Sequence, residues 1–430
     1  MKIPPVKGTR DFYPDQMARR NWIIDGWKKV SLRNGFEEYD GPIFEYLQMY
    51  QIKSGQEIVE QLFSLQDRGG RDLAIRPEIT PTLARMVNQQ INSLPRPIKW
   101  FAVPRLCRAE RPQKGRLREF FQWNVDIIGE DRADADAEIV FTTIDYLRSV
   151  GLTAKDIRAK ISSRRLLAAV LTSIGIPAEQ LDPIYAVLDK KAKLPAEAFQ
   201  AMLTEKVPDK DQARKIQDFM SLDSVDGVAA IAEPTEALTK AIDELRGVLG
   251  VLKAMGVSEF CGFDPGIVRG LAYYTGIVFE VHDLAGELRA ICGGGRYDNL
   301  LRDFGGPAIA ATGMGMGDCV LEILLEQRGL LGSQIPKRGL EYFVALADPQ
   351  LADAMYEVAA RIRSKGHSAN FSYKRGGLSK QLKEAAGQNA GTCVIVGQEY
   401  KDHRQVVVKD MAGGIQDTVD VEQFLDHLNS

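Results

Sequence analysis

Arg108, Glu110, Gln122 and Asp126 are spaced so that a guanidinium, two carboxylates and a carboxamide could act together on one small ligand. They lie in the segment Arg105-Leu-Cys-Arg-Ala-Glu110-Arg-Pro-Gln-Lys-Gly-Arg-Leu-Arg-Glu-Phe120-Phe-Gln-Trp-Asn-Val-Asp126, which reads as two extended arms joined by a basic loop. Successive strand side chains point to opposite faces, so parity sorts the residues. Leu106, Arg108 and Glu110 share a face of the first arm. Phe120, Gln122, Asn124 and Asp126 share a face of the second, while Phe121, Trp123, Val125 and Ile127 form an apolar back. One reading is a solvated strand face. Such faces usually carry Lys, Thr and Glu, whereas this one carries short, fixed hydrogen-bonding groups. Arg111, Lys114, Arg116 and Arg118 in the loop suit a polyanion, so the sharper reading is a phosphate site beside a small-molecule site.

Four other segments have the composition of a site. Arg76-Pro77-Glu78 stands at a strand-to-helix turn, where helix capping alone would account for the acid. Val268-Arg269-Gly270-Leu-Ala272-Tyr273-Tyr274-Thr275-Gly276 is punctuated by glycine ahead of a strand, which permits a close approach of backbone to ligand. Cys292-Gly-Gly-Gly295-Arg296-Tyr297-Asp298 contains three consecutive glycines, a run that needs a turn or the close passage of a bound group. Neither a Walker loop nor a dinucleotide-binding glycine pattern is present. Gly313-Met-Gly315-Met-Gly317-Asp-Cys-Val320 enters a helix, whose free N–H groups would favour an anion, unless the glycines serve helix packing.

The elements that must position these residues are legible in outline. Residues 16–34 read as an amphipathic helix ended by Asn34-Gly35. A strand entered through Pro42, a hairpin over 62–76, a helix opened by Pro77-Glu78, the 99–128 hairpin and a helix over 134–149 follow. From about 164 to 255 long helical patterns dominate. Strand composition returns at Val278–Glu280 and runs to Ile291, and a helix covers about 317–328. Residues 331–338 read as a linker, and 339–430 alternate strand and helix as a compact α/β unit with its own core.

With 430 residues, two or three domains are expected. The composition, 45% hydrophobic and 26% charged, is that of an ordinary globular chain, and no apolar run reaches bilayer length. The first eight residues hold no hydrophobic stretch of the secretory kind. Five scattered cysteines and four distant histidines speak against a disulfide framework and a zinc site, so a reducing cytoplasm is expected. A net charge of −3 means that any nucleic acid would be gripped through local patches and shape.

The order of these motifs resembles the class II aminoacyl-tRNA synthetases and, more narrowly, the histidyl-tRNA synthetase family. Lys7-Gly-Thr-Arg-Asp11, Pro42 with Glu45, Arg76-Pro-Glu78, the hairpin from Arg108 to Gly129, Arg269 to Tyr274 and Cys292 to Asp298 carry the resemblance. It implies an α+β catalytic core over 1–330, an antiparallel sheet flanked by helices with a helical insertion at about 164–255, and an anticodon-binding domain over 339–430. It also implies a histidine–tRNA ligase that uses ATP with Mg2+ and tRNA(His), works as a cytoplasmic homodimer through the segment around Pro42, and needs neither zinc, a membrane nor DNA.

Carried over position by position, the resemblance makes Arg269 and Arg108 catalytic. Glu78, Thr80, Gln122, Asp126, Arg269, Tyr273 and Tyr274 would bind histidine, with Asp126 and Tyr274 on the imidazole and Glu78 on the α-ammonium. Arg108, Glu110, Arg116, Gly315 and Gly317 would bind ATP. Gly293, Gly294, Gly295 and Tyr297 would form a substrate loop, and Gln113, Lys114 and Arg118 would meet the tRNA acceptor end. Two positions depart from the family. Val320 stands where motif 3 carries an ATP-clamping arginine, for which Arg116, Arg296 or Arg302 would have to compensate, and Ala272 replaces a common Asp. Val320 keeps a second reading open, a catalytically inactive paralogue that binds histidine as a regulatory subunit.

Overall fold

The structure, a computed structural model, describes residues 3–52, 62–191, 194–268, 274–332, 335, 339–374 and 376–428. The chain divides into two compact units at residues 335 and 336.

The first unit is built on strands β1 (Glu37–Glu38), β2 (Phe44–Tyr46), β3 (Phe63–Gln66), β4 (Asp72–Ile75), β5 (Ile98–Ala102), β6 (Arg105–Cys107), β7 (Glu119–Ile128), β8 (Ile157–Ser163), β9 (Cys261–Phe263), β10 (Ile277–Asp283), β11 (Cys292–Arg296) and β12 (Ala311–Gly317). Its large sheet runs β1-β5-β7-β12-β11-β10-β8-β9, with β6 also paired to β7. Only the outer pairs β1/β5 and β8/β9 are parallel, so the core of the sheet is antiparallel, as the expected class requires.

Alternation along β7 decides which face is buried. Trp123, Val125 and Ile127 are at most 2% exposed and belong to the main core. Trp123 stacks on Trp27 with ring centroids 6.2 Å apart, and its indole N–H donates to Ser31 Oγ at 2.8 Å. Trp27 and Ser31 come from the helix Pro14–Arg33, which starts at a proline needing no N–H partner and stops before Gly35 at φ +78°. The helix Ala133–Ser149 covers the same face through Ile139, Val140, Ile144 and Leu147. Truncating Trp123 to alanine would cost about 3–5 kcal/mol in transfer and cavity terms.

Some local expectations change. The helix after Glu78 begins at Thr80, with Ile79 as its N-cap and no hydrogen bond from the N-cap side chain, so Glu78 lies ahead of the helix and not in its first turn. The strand expected to run from 278 to 291 stops at Asp283, and the glycine triplet lies inside a further strand, β11. Periodicity could not show that, because Gly has no side chain to mark a face. β2, β4 and β3 form a separate small sheet. Between β8 and β10 run helices Arg164–Ser173, Leu181–Leu188, Ala196–Lys206, Lys210–Phe219 and Glu236–Ala254, each with an apolar stripe turned inward.

The second unit holds β13 (Tyr342–Leu346), β14 (Ala369–Phe371), β15 (Thr392–Val396), β16 (Gln405–Asp410) and β17 (Gln416–Asp420) in the order β14-β13-β15-β16-β17. β17, polar and largely exposed, was not expected from the sequence. Helices Ala352–Ser364, Leu378–Gly387 and Val421–His427 pack on this sheet.

His367 fastens the last helix: one ring nitrogen meets Glu341 at 2.7 Å and the other the Leu428 carbonyl at 2.9 Å. Both partners are acceptors, so the clasp is complete only with the doubly protonated ring, and these bonds raise the His367 pKa. The His367 bond, with two from Ser368, holds Glu341 at about 2. The histidine contribution is full below the ordinary value of 6.5 and is lost as pH rises through the raised one. The glutamate contribution is full above 4.5 and is lost only as pH falls toward 2. Amides of helix Val421–His427 should therefore exchange faster relative to the rest of the unit above neutral pH than at pH 6. His367→Ala should abolish that difference; a wild-type difference that survives it would refute the clasp.

Candidate active site

The face of β7 opposite the tryptophan core carries Gln122, Asn124 and Asp126. Register places Gly313 opposite Asp126, Gly315 opposite Asn124 and Gly317 opposite Gln122, and then Gly295 opposite Gly313 and Gly293 opposite Gly315. The strands beside β7 therefore present a floor without side chains. A Cβ on Gly313 would stand 2.1 Å from Asp126 Oδ1, and one on Gly315 would stand 2.9 Å from Gln122 Nε2. The two polar side chains lie across these glycines, which is why the positions must be bare. Gly294 is needed for a different reason, since its Cβ would meet the Gly313 carbonyl at 2.2 Å. The triplet Gly293, Gly294, Gly295 is thus the middle of a strand, which corrects the expected substrate loop.

Asp126 is the focus of this face. It is 3% exposed, and Tyr297 donates its hydroxyl proton to Oδ1. Oδ2 is buried with no hydrogen-bond partner among the described residues. Burial pushes its carboxyl up to about 7, against a smaller lowering by Tyr297. The Tyr274 ring closes over Gly295, with Cδ1 3.0 Å from where a Cβ would stand. Tyr39, which the sequence did not single out, is buried near Asp126. Burial first, then the charges of Asp126 and Asp40, raise its pKa. Its only sequence signal was an aromatic residue next to a short strand, which is common in cores.

The hairpin places Arg108 beside the Pro77-Glu78 turn. Arg108 Nε donates to the Pro77 carbonyl at 3.0 Å, and its guanidinium lies 5.2 Å over Phe120. Glu78 is buried, and Thr80 opens the following helix. Arg76 is 3% exposed and braces the turn by donating to Asp40 Oδ1 and the Gly41 carbonyl, each at 2.7 Å. Beyond β6 the basic loop turns back at the Gln113–Arg116 bridge, and Arg116 is ion-paired with the buried Glu110. Gln113 and Lys114 are exposed. Arg118 is committed to the fold: its N–H donates to Gly8 O at 2.8 Å and its Nε to Glu110 O at 3.1 Å.

Gly317 is the N-cap of helix Asp318–Gln327 and has open space where a side chain would be, whereas Gly315 lies under Gln122. Asp318 accepts from the Phe121 N–H at 3.0 Å and from Arg10 at 2.5 Å, which ties the amino-terminal segment, β7 and this helix together. Sequence reasoning marked the Lys7–Asp11 motif without finding this role. Val320 is met by the loop: a Cβ on Gly115 would come within 3.0 Å of its Cγ2. Arg296, suggested above as a substitute for the arginine missing at 320, is 0% exposed. It pairs with Asp136 at 2.7 Å and donates to the carbonyls of Glu130 and Arg132, so it cannot reach a ligand. Arg302 is exposed on a separate four-residue helix, Leu300–Asp303. Arg269 and Tyr273 lie outside the described residues. Among the described residues no group of three or more His, Cys, Asp or Glu side chains is placed to hold a metal ion, and no helix is long and apolar enough to cross a membrane.

Comparison with known proteins agrees with this arrangement. Residues 8–317 match the family described as histidyl-tRNA synthetase, and residues 341–430 match the anticodon binding domain. The chain is 39% identical to the chloroplastic/mitochondrial histidine–tRNA ligase of Arabidopsis thaliana, over 96% of this chain and 84% of that one. It is 37% identical to the histidine–tRNA ligase of Opitutus terrae, over 97% and 96% of the two chains. Among solved structures, histidyl-tRNA synthetase from Nostoc superimposes with a TM-score of 0.81 at 22% identity, covering 100% of this chain and 99% of that one. A Bacillus halodurans protein described as an ATP phosphoribosyltransferase regulatory subunit/histidyl-tRNA synthetase superimposes at 0.73 and 24% identity, covering 86% and 93%. These two structural likenesses concern the fold.

The folded chain holds the Asp126 proton to higher pH than an unfolded one would, so its ionisation subtracts stability between the ordinary 3.8 and about 7. Carbon NMR of the Asp126 carboxyl should give a midpoint near 7. Tyr297→Phe, which removes the hydrogen bond favouring the ionised form, should move it higher still. A midpoint in the ordinary carboxylate range would show that the site is wet.

Proposed function

This chain belongs to the histidyl-tRNA synthetase family, and from that premise we infer that it is an ATP-dependent histidine–tRNA ligase. It joins histidine to the α-phosphate of ATP with release of pyrophosphate, then passes the histidyl group to tRNA(His) with release of AMP. The observation that carries the amino-acid choice is Asp126 Oδ2, a buried carboxylate oxygen without a hydrogen-bond partner among the described residues, on a floor of glycines. An imidazole N–H supplies the missing donor, and its positive form would favour the ionised acid that burial alone disfavours. Tyr274 reads the ring from above and Gln122 lies beside it. Glu78 holds the α-ammonium as a charge-assisted pair, next to Thr80. A pocket whose polar groups would be left unpaired by another amino acid rejects it without editing.

The chemistry itself asks for positioning and positive charge. The histidine carboxylate attacks the α-phosphorus while pyrophosphate leaves in line, and no protein nucleophile takes part. Arg108, fixed by the Pro77 carbonyl and Phe120, and Arg269, by its motif position, face the charge that develops on the α-phosphate. Tyr273 belongs to the same motif. Glu110 and Arg116 serve the rest of ATP, with Gly315 and Gly317 along the edge toward the helix N-terminus. Magnesium would arrive on the ATP phosphates, a mode that needs few carboxylates. Gln113 and Lys114 face the tRNA acceptor end in this reading, with Arg118 holding the base of their loop.

In the same reading residues 1–330 are the catalytic unit with an insertion at about 164–255, and 339–430 recognise the anticodon in the cytoplasm. The exposed Ile43, Phe44, Tyr46, Ile52 and Leu65 on and beside the small sheet support a homodimer, because a lone chain seldom leaves such a cluster in water. Val320 favours a regulatory histidine-binding subunit. Against it stand a second unit of the anticodon-binding family and the retained set Glu78, Arg108, Gln122 and Tyr274.

Pyrophosphate exchange into ATP should occur with histidine and with none of the other nineteen amino acids. Histidine binding without exchange would mean the regulatory role. Asp126→Asn should raise the histidine KM about 100-fold by leaving buried groups mismatched. Gly313→Ala should act in the same direction although residue 313 offers no group to the ligand, because its Cβ displaces Asp126.

A further inference from the structure

Arg164 and Arg165 are the first two residues of helix Arg164–Ser173, whose start is fixed by the Ser163 side chain accepting from the Leu166 N–H. The two arginines diverge: Arg164 joins helix Leu181–Leu188 to Val268 and Gly276, and Arg165 joins helix Glu236–Ala254 to Asp298 and, through it, to Thr275. Arg164 Nη1 donates to the Val268 carbonyl at 3.3 Å, its main-chain N–H donates to Gly276 O at 2.9 Å, and its guanidinium lies 4.5 Å over the ring of Tyr185 in helix Leu181–Leu188. Arg165 Nη1 donates to Glu244 Oε1 of helix Glu236–Ala254 at 2.5 Å, and Nη2 donates to Asp298 Oδ2 at 2.7 Å. Asp298 is the far end of the glycine-tyrosine motif. The same Oδ2 accepts from Thr275 Oγ1 at 2.8 Å, while the Asp298 N–H donates back to that oxygen at 3.0 Å. Thr275 follows Tyr274, the ring that closes over Gly295.

We propose that Arg164 and Arg165 are positioning residues that couple the helical stretch to the histidine pocket, setting the placement of Tyr274 through Gly276 and through Asp298–Thr275. The proposal rests on the ligase reading. Neither arginine touches a reacting atom; each acts through a partner. The geometry favours a relay over local packing for two reasons. One carboxylate oxygen, Asp298 Oδ2, is shared by Arg165 and Thr275, so a shift of either moves the other. Val268 and Gly276 are both held from one helical turn through Arg164, so the turn keeps one placement relative to each of them. Arg165 is 40% exposed and Asp298 22%, so the link is adjustable and modest in strength, unlike the buried Arg296–Asp136 pair nearby. Displacing helix Glu236–Ala254 would loosen the grip on the imidazole without disturbing Arg108 or the ATP end.

The test uses the full chain in histidine-dependent pyrophosphate exchange, with Arg165→Met, Arg165→Lys, Glu244→Gln and the Arg165→Met/Glu244→Gln pair. Arg165→Met should raise the histidine KM about three- to tenfold, with the ATP KM and kcat held. Glu244→Gln, on a helix outside the pocket, should do the same to a smaller extent, the pair should be no worse than Arg165→Met, and Arg165→Lys should restore most of the loss. Hydrogen exchange of the peptide containing Tyr274–Gly276 should quicken in Arg165→Met without any substrate present. An unchanged histidine KM in both single variants, or equal losses in both KM values and kcat, would overturn the proposal. Failure of the wild type to exchange with histidine would instead sink the ligase reading, and the hydrogen-exchange result would still decide whether the link holds Tyr274.

Discussion

Asp126 can lie flat across its neighbouring strand only because that strand has no side chain beneath it. A Cβ at 313 would occupy the space of the carboxylate, and one at 315 would crowd Gln122. From this steric constraint much of the first unit follows. A bare strand packs poorly and orders at an entropic cost, so it needs support from its other face and from both neighbours. β12 has that support: Met314 and Met316 are buried in the main core, and β7 and β11 flank it along its length. The stacked Trp27 and Trp123, with Ser31 satisfying the indole, fix β7 from behind so that its polar face keeps one register.

Buried charge does the remaining alignment. Arg296 and Asp136, both buried, join β11 to helix Ala133–Ser149, and the extra Arg296 donors are taken by two backbone carbonyls. Such a pair adds little net stability, because desolvation consumes most of the attraction, but either partner left alone would be an uncompensated buried charge. What the pair provides is a single allowed placement. Arg76 with Asp40 does the same for the turn that carries Glu78, and Arg10 with Asp318 for the start of helix Asp318–Gln327. Arginines that frame the site are thus consumed by the fold, while Arg108 is set in place beside the Glu78 turn by the Pro77 carbonyl and the Phe120 ring.

Val320 illustrates how a missing residue alters its surroundings. The family's arginine at this position would project from the first turn of the helix; here the tip of the basic loop comes down on the valine through Gly115. Residues 318 and 322, on another face of the helix, bind Arg10 and so leave that guanidinium directed away from the valine side. Arg116 follows Gly115 on the loop that rests there, where it is paired with Glu110.

The two-residue alternation in 119–128, the helical spacing of Ile23, Trp27 and Val30, and the order of the motifs were legible because they depend on neighbours in sequence. They determined the antiparallel core, the polar face with Gln122 and Asp126, and the family. The glycine triplet was read as a loop, since glycine carries no periodicity to reveal a strand. Arg296 was read as a spare cation, since its partner Asp136 is 160 residues away. Tyr39, the Arg10–Asp318 tie and the links made by Arg164 and Arg165 left no signal for the same reason. Which side chains exist, and which face of its own strand each takes, is local and written in the sequence. Which of them is spent on another strand, which lies over a bare one, and which keeps an unsatisfied atom for a ligand depend on contacts between distant segments, and those the tertiary structure alone decides.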